Sequence, residues 1–246
     1  MSSKTETILG VPIDLISEDE IINQLPVYIK EKKKMTLTSI NPQILLVSEK
    51  NANVRNFLVN STHRFPDGIG VVKISKWSKG NIKKRIAGID IMTRVLEYAD
   101  KENEVVYFYG ASKKVLEQAV TNISKSYPGI VVGGYLDGYT KYSDQEMIKN
   151  INNSEAEILF VALGSPKQEE WLSKNMDQLN CHVFQTVGGS LDVFSGYVKR
   201  APDFWIKLNL EWVYRSLSNP KRMYRILQIP QFVVRALHWN LKNNKQ

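Results

Sequence analysis

Ile158-Leu-Phe-Val-Ala-Leu163, followed at once by Gly164-Ser-Pro-Lys167-Gln168, decides the fold. A strand with one wet face alternates apolar and polar residues, so six consecutive apolar residues predict a strand covered on both faces, the signature of a central parallel sheet. The glycine then turns the chain, and Ser165-Pro166 with Gln168 spaces a capping box at a helix start. Strand, glycine loop and helix form the repeating unit of an α/β sheet with crossover helices. Working outward, similar short β-branched or aromatic runs predict strands at Met35 to Ile40, Thr62 to Phe65, Val105 to Tyr109, Ile130 to Gly133 and Val183 to Val187. Ser17 with Glu20 and Ser143 with Glu146 repeat the capping-box spacing between them. The fold class expected is α/β: a Rossmann-like, mostly parallel sheet with helices on both faces.

In such a sheet ligands bind outside the carboxyl ends of the strands, so the loops after the strands hold the candidates. They are Ser39-Ile-Asn41, Pro66-Asp67-Gly68, Gly110-Ala-Ser112, Gly164 to Gln168, and Gly188-Gly189-Ser-Leu-Asp192. Glycine just before a helix lets backbone amides approach a phosphate oxygen, which points to a nucleotide ligand. Neither G-x-G-x-x-G nor G-x-x-x-x-G-K-[ST] occurs, which argues against a dinucleotide-dependent dehydrogenase and a P-loop NTPase. Each candidate also has a plain structural use. Pro-Asp-Gly is a common turn, Gln168 closes the capping box of Ser165, and Asp192 caps its own turn. His63, His182 and His238 show no spacing suited to zinc. Asp-x-Asp is absent, so a departing diphosphate would need protein cations, for which Arg85, Arg215, Arg222 and Arg225 are available.

The formal net charge of +8 is confined to the last 48 residues. Residues 1–198 hold 23 Lys and Arg against 23 Asp and Glu, whereas residues 199–246 hold ten against two. The division expected is a Rossmann-like catalytic body at 1–198 and a basic, aromatic helical appendage at 199–246. Helices are predicted from Phe204 to Leu217 and from Lys221 to Leu237, the second interrupted by Pro230. Three of the five tryptophans, Trp205, Trp212 and Trp239, lie in this appendage, and cations beside amphipathic rings suit an anionic membrane surface or a phosphorylated lipid. The alternative is a core-packing helix with a solvated basic face. The N-terminus lacks a signal-peptide pattern, and no run reaches the roughly 18 apolar residues of a spanning helix. The expected location is cytoplasmic, peripheral to the inner face of the cell membrane. The lone Cys181 reads as a small buried hydrophobe. A nucleic-acid partner is disfavoured by the neutral body, a homo-oligomer stays open, and a membrane-surface adaptor is the non-enzymatic rival.

Taken together, Pro66-Asp-Gly-Ile-Gly70, Arg85-Ile-Ala-Gly-Ile-Asp90, Tyr107-Phe-Tyr-Gly-Ala111, Gly134-Tyr-Leu-Asp-Gly138, Val161 to Glu169, Gly188 to Asp192, Arg200-Ala-Pro202 and Glu211-Trp-Val-Tyr-Arg215 with Asn219-Pro-Lys-Arg222 resemble the WecG/TagA/CpsF glycosyltransferases, glycosyltransferase family 26. The resemblance implies an inverting, metal-independent and cofactor-free transfer from a UDP-sugar donor to a polyprenyl-diphosphate-linked acceptor. N-acetylmannosamine moving to polyprenyl-diphosphate N-acetylglucosamine, in the teichoic acid linkage unit of the cell wall, is the version expected. UDP-N-acetylmannosaminuronate or another hexose donor for surface polysaccharide is the alternative. It also implies roles: Asp67 as general base, Gln168 near the nucleotide sugar, Asp192 near the uridine, and Arg85 as the arginine of its segment. Catalytic candidates are thus Asp67, Arg85 and Gln168. Substrate-binding candidates are Ser39, Asn41, Gly110, Gly164, Lys167, Gly188, Gly189, Asp192, Arg215, Arg222 and Arg225. Ser39 departs from the family's usual threonine but keeps a hydroxyl.

Overall fold

All five residues of the strand Ile158–Ala162 are buried, and alternate side chains feed two separate apolar layers. Ile158 and Phe160 face one layer, Leu159 and Val161 the other. The computed structural model describes residues 4–208, 211, 213, 214 and 224–243. In chain order the elements that position the site are β1 (Thr5–Ile8), β2 (Val11–Asp14), α1 (Glu18–Lys30), β3 (Met35–Ile40), α2 (Pro42–Ser48), α3 (Ala52–Asn60), β4 (His63–Pro66), α4 (Ile69–Trp77), α5 (Gly88–Glu102), β5 (Val105–Gly110), α6 (Lys113–Ser126), β6 (Val131–Leu136), α7 (Asp144–Asn153), β7 (Ile158–Ala162), α8 (Lys167–Asn175), β8 (Val183–Thr186), α9 (Ser190–Phe194), α10 (Asp203–Lys207) and α11 (Tyr224–Asn243). Six strands form one sheet in the order β4-β3-β8-β7-β5-β6, every neighbouring pair parallel. This is the α/β sheet that the apolar run predicts, and the stacked rings of Phe108 and Phe160, 5.3 Å apart, bridge β5 and β7 within one layer.

Several expectations change in detail. The hairpin β1–β2 is not anticipated by the apolar runs, because its four-residue strands are too short to show a period. It is fastened by Asp14, whose carboxylate accepts from the Arg64 backbone N–H at 2.6 Å and from the guanidinium at 3.0 and 3.1 Å. The capping boxes at Ser17 and Ser143 form, each with its glutamate reaching back. The third does not: α8 begins after Pro166 with no side-chain cap, because the Gln168 amide is drawn to Glu169 and Gly188 instead. Pro230 does not interrupt the last helix, which runs through it from Tyr224 to Asn243. Its ring is on the exposed side, while Phe232 and Ala236, both 0 % exposed, hold the following turns in the core. The predicted helix from Phe204 to Leu217 is described as α10 and as isolated residues beyond it; Trp212 lies outside the described residues. Trp205 meets the rings of Phe204 and Tyr214 at centroid distances of 6.5 and 5.9 Å. Cys181 is buried and free, and burial pushes its thiol up to about 12. Among the described residues no helix is long and apolar enough to cross a membrane.

His63, at the start of β4, lies under Tyr28 and between Thr62 and Gln24, which contact its two ring nitrogens at 2.9 and 3.2 Å. Burial, only partly opposed by Asp14, pushes its pKa down from 6.5 to about 4. The folded chain therefore binds fewer protons than the unfolded chain between those values. This contribution to stability is intact above about pH 6.5 and is lost progressively as pH falls toward 4. Between pH 7 and 4.5 the native protein should lose on the order of 2 kcal/mol more than a His63→Asn variant. Urea unfolding of both proteins at the two pH values measures the difference, and equal losses would assign the acid sensitivity elsewhere.

Candidate active site

Parallel strands end on the same side, so the loops after β3, β4, β5, β6, β7 and β8 converge. Between them and the C-terminal segment lies a cavity of about 670 Å³, within the size range of sites for small ligands. Its floor carries Ser39, Asn41, Asp67, Gly164, Gln168 and the Gly188–Asp192 turn. Its far walls are α4, through Ile69, Lys73 and Trp77, and α11, through Gln228, Ile229 and Val233.

Asp67 follows β4 directly, where its backbone N–H donates to Ile40 at 2.8 Å and so continues the β3–β4 ladder. Gly68 then takes φ +94°, a conformation that favours glycine, and turns the chain into α4. This turn aims the carboxylate into the cavity. Arg85 Nε donates to Asp67 Oδ1 at 3.1 Å, and the Gly88 amide points at Oδ2 from 3.4 Å. The other edge of the same guanidinium donates to Glu211 Oε2 at 2.9 Å. Glu211 belongs to the C-terminal segment and its side chain is only 3 % exposed. Burial works against the charge of Arg85, but the carboxylates of Asp67 and Glu211 outweigh it and raise the guanidinium pKa. One cation thus holds two carboxylates from distant parts of the chain.

Gln168 is buried and clamped at both ends. Its Nε2 donates to Glu169 Oε1 at 2.8 Å, and its Oε1 accepts from the Gly188 amide at 3.2 Å. This locks the loop after β7 to the loop after β8. Glu169 itself is 2 % exposed, burial raises its pKa, and its Oε2 has no hydrogen-bond partner among the described residues. Asp192 lies in α9 with a carboxylate that makes no hydrogen bond among the described residues; the turn is closed by its backbone oxygen, which accepts from Ser195 and Val198. Asn41 caps α2 through the Ile44 amide at 3.0 Å while still lining the cavity. Ser39, Gly164, Gly188 and Gly189 also line it.

Two candidates are placed elsewhere. Gly110 lies behind the cavity wall, where a Cβ would stand 2.4 Å from the carbonyl carbon of Ala162, so glycine there serves the close approach of β5 to β7. Its neighbours Ala111 and Ser112 face the cavity in its stead. Lys167 opens α8 with its side chain in solvent and does not line the cavity. Arg215 and Arg222 lie outside the described residues, and Arg225 is described only as backbone in the first turn of α11.

Fold and crevice define an α/β enzyme of the open-sheet kind, with its ligand site beyond the carboxyl ends of the strands. The chain belongs to the glycosyl transferase WecG/TagA/CpsF family, whose model matches residues 6–246. It is 40% identical over 210 residues to the N-acetylglucosaminyldiphosphoundecaprenol N-acetyl-beta-D-mannosaminyltransferase of Bacillus spizizenii, covering 85% of this chain and 81% of that protein. The protein of the same name in Bacillus subtilis is 38% identical over 95% of this chain and 91% of its own length. The Staphylococcus aureus protein of that name is 32% identical over 92% of this chain and 89% of its own.

Sequence reasoning assigns no part to Glu211, Glu169, Lys73 or Trp77. A signal for Glu211 was present: it is one of only two acids among ten bases in residues 199–246. A carboxylate set among so many bases is a candidate for a specific ion pair. Removing Arg85 should leave Asp67 and the nearly buried Glu211 without their shared cation. Arg85→Ala is expected to cost about 3 kcal/mol in urea unfolding, and Glu211→Gln in the same chain should recover part of that loss. Additive losses in this double-mutant cycle would show that the two side chains do not interact.

Proposed function

We propose that the chain transfers N-acetylmannosamine from a UDP-sugar to polyprenyl-diphosphate-linked N-acetylglucosamine by a single inverting displacement, with Asp67 as general base. The observation that carries this reading is the Asp67 carboxylate, held by Arg85 and Gly88 and facing the cavity over the strand ends. The acceptor hydroxyl gives its proton to Asp67 as its oxygen bonds to the anomeric carbon. The bond from that carbon to the diphosphate breaks, and UDP leaves with the electron pair. Gln168, fixed between Glu169 and Gly188, presents a rigid polar group beside the donor, and the positive-φ glycines Gly164 and Gly188 open room for its phosphates.

The names of the relatives pair an N-acetylmannosaminyl group with an undecaprenyl-diphosphate acceptor, which supports the choice of both substrates. A carboxylated donor would call for a further cation at the sugar. Among the described residues the cavity has only Arg85, already holding two carboxylates, and Lys73 on the far wall. That favours an uncharged sugar. The basic appendage supplies Arg215, Arg222 and Arg225 to the departing UDP and rests on the anionic inner face of the cell membrane. The outer face of α11 suits that contact, since Val234 and Leu241 are each 68 % exposed. Because the appendage both lines the cavity and offers an exposed apolar face, membrane attachment and catalysis are coupled through it.

Asp67→Asn should fold and bind UDP with unchanged calorimetric affinity while losing about 10²- to 10⁴-fold in turnover. Near-normal turnover would remove Asp67 from the role of base. Val234→Asp with Leu241→Asp, both on exposed positions, should leave thermal stability unchanged and release the protein from anionic liposomes in sedimentation. Undiminished sedimentation would place the membrane contact on another surface.

A further inference from the structure

We infer that the cavity face of α4 is the subsite for the diphosphate and first isoprene units of a lipid-linked acceptor, with Lys73 meeting the diphosphate and Trp77 the hydrocarbon. The assignment rests on the reaction proposed above and adds to it where the acceptor lies. Ile69, Lys73 and Trp77 are spaced i, i+4 and i+8, so they share one face of α4, and all three line the cavity. At 1.5 Å per residue, Lys73 is about 6 Å and Trp77 about 12 Å along the axis from Ile69, which itself follows Asp67 by two residues. Carboxylate, cation and aromatic ring therefore stand in the same order as hydroxyl, diphosphate and prenyl chain in the acceptor.

Charge and exposure support the same order. Among the described residues only Lys73 and Arg85 bring positive charge to the cavity, and Arg85 is committed to Asp67 and Glu211. Lys73 makes no ion pair there. Trp77 is 57 % exposed and lines the cavity, so its ring offers apolar surface to a ligand there. Across from it, Ile229 and Val233 of α11 complete an apolar slot. The slot is built in place: a Cβ on Gly70 would stand 2.9 Å from Pro42 and 3.6 Å from the Phe232 ring, so α4 packs tightly on α2 and α11. Asn240 also donates to the hydroxyl of Ser78, joining the far ends of α11 and α4.

The test uses the full chain, UDP-N-acetylmannosamine, and diphosphate-linked N-acetylglucosamine on either a long polyprenyl chain in non-ionic detergent or a short water-soluble alkyl chain. Lys73→Ala should raise the KM for both acceptors about tenfold, with kcat and the donor KM within about twofold, and Lys73→Arg should restore the acceptor KM. Trp77→Ala should raise KM about fivefold or more for the long-chain acceptor and leave the short-chain acceptor unchanged. An acceptor KM unmoved by Lys73→Ala, a change in donor KM instead, or a Trp77→Ala effect equal for both tails would each overturn the assignment. If the native chain transfers sugar and these variants behave as native, the acceptor lies elsewhere and the reaction stands. If the native chain transfers to neither acceptor, the reaction and the assignment fall together.

Discussion

Arg85 joins the end of β4 to the C-terminal segment. Its Nε holds Asp67 at the end of a strand and its Nη2 holds Glu211 of the C-terminal segment, with all three side chains largely withdrawn from water. Burying a guanidinium is unfavourable unless its donors are taken up, and a planar fork is the group best shaped to satisfy two carboxylates at once. The same contact that orients the carboxylate at the cavity floor therefore also secures the C-terminal segment over it. Neither carboxylate is placed by the sheet alone. Asp67 owes its direction to Gly68 and Arg85, and Glu211 reaches the cavity only because the chain after α9 returns across the strand ends.

That return depends on packing as well as charge. Phe232 and Ala236 of α11 are as fully buried as the residues of β7, and they belong to the same apolar layer as Leu159 and Val161. The basic C-terminal stretch is thus neither a mere tail nor a wholly internal helix. One face completes the core, one lines the cavity through Ile229 and Val233, and a third leaves Val234 and Leu241 in solvent. A helix can divide its duties in this way because positions three and four residues apart share a face while adjacent positions do not.

The central strands, two capping boxes and most of the cavity floor were legible in the sequence because their signals are local. Six apolar residues in a row, or Ser with Glu three residues on, act through neighbours along the chain. What escaped is non-local or ambiguous. The β1–β2 hairpin depends on Asp14 reaching Arg64, fifty residues away. Gln168 satisfies the spacing of a cap, but the amide of Gly188 and the buried carboxyl of Glu169 compete for it and win. Gly110 has the position of a ligand-loop glycine, yet the backbone of Ala162 is what excludes a side chain there. Glu211 sits in a recognisable segment, while its partner lies 126 residues earlier. Residues after a strand can be read as facing a crevice; which of them face it, and which hold the others, is decided by contacts that sequence distance conceals.

The charges lining the cavity contrast with the strongly basic C-terminal stretch. Among the described residues it is lined by four acids, Asp67, Glu169, Asp192 and Glu211, against two bases, Lys73 and Arg85. Such a site is poorly suited by itself to a ligand bearing a diphosphate, since each added negative charge meets carboxylates at close range in a partly dry crevice. On the proposed reading, the basic residues of 199–246 offset that negative charge when a diphosphate ligand binds, which would account for the segregation of charge along the chain.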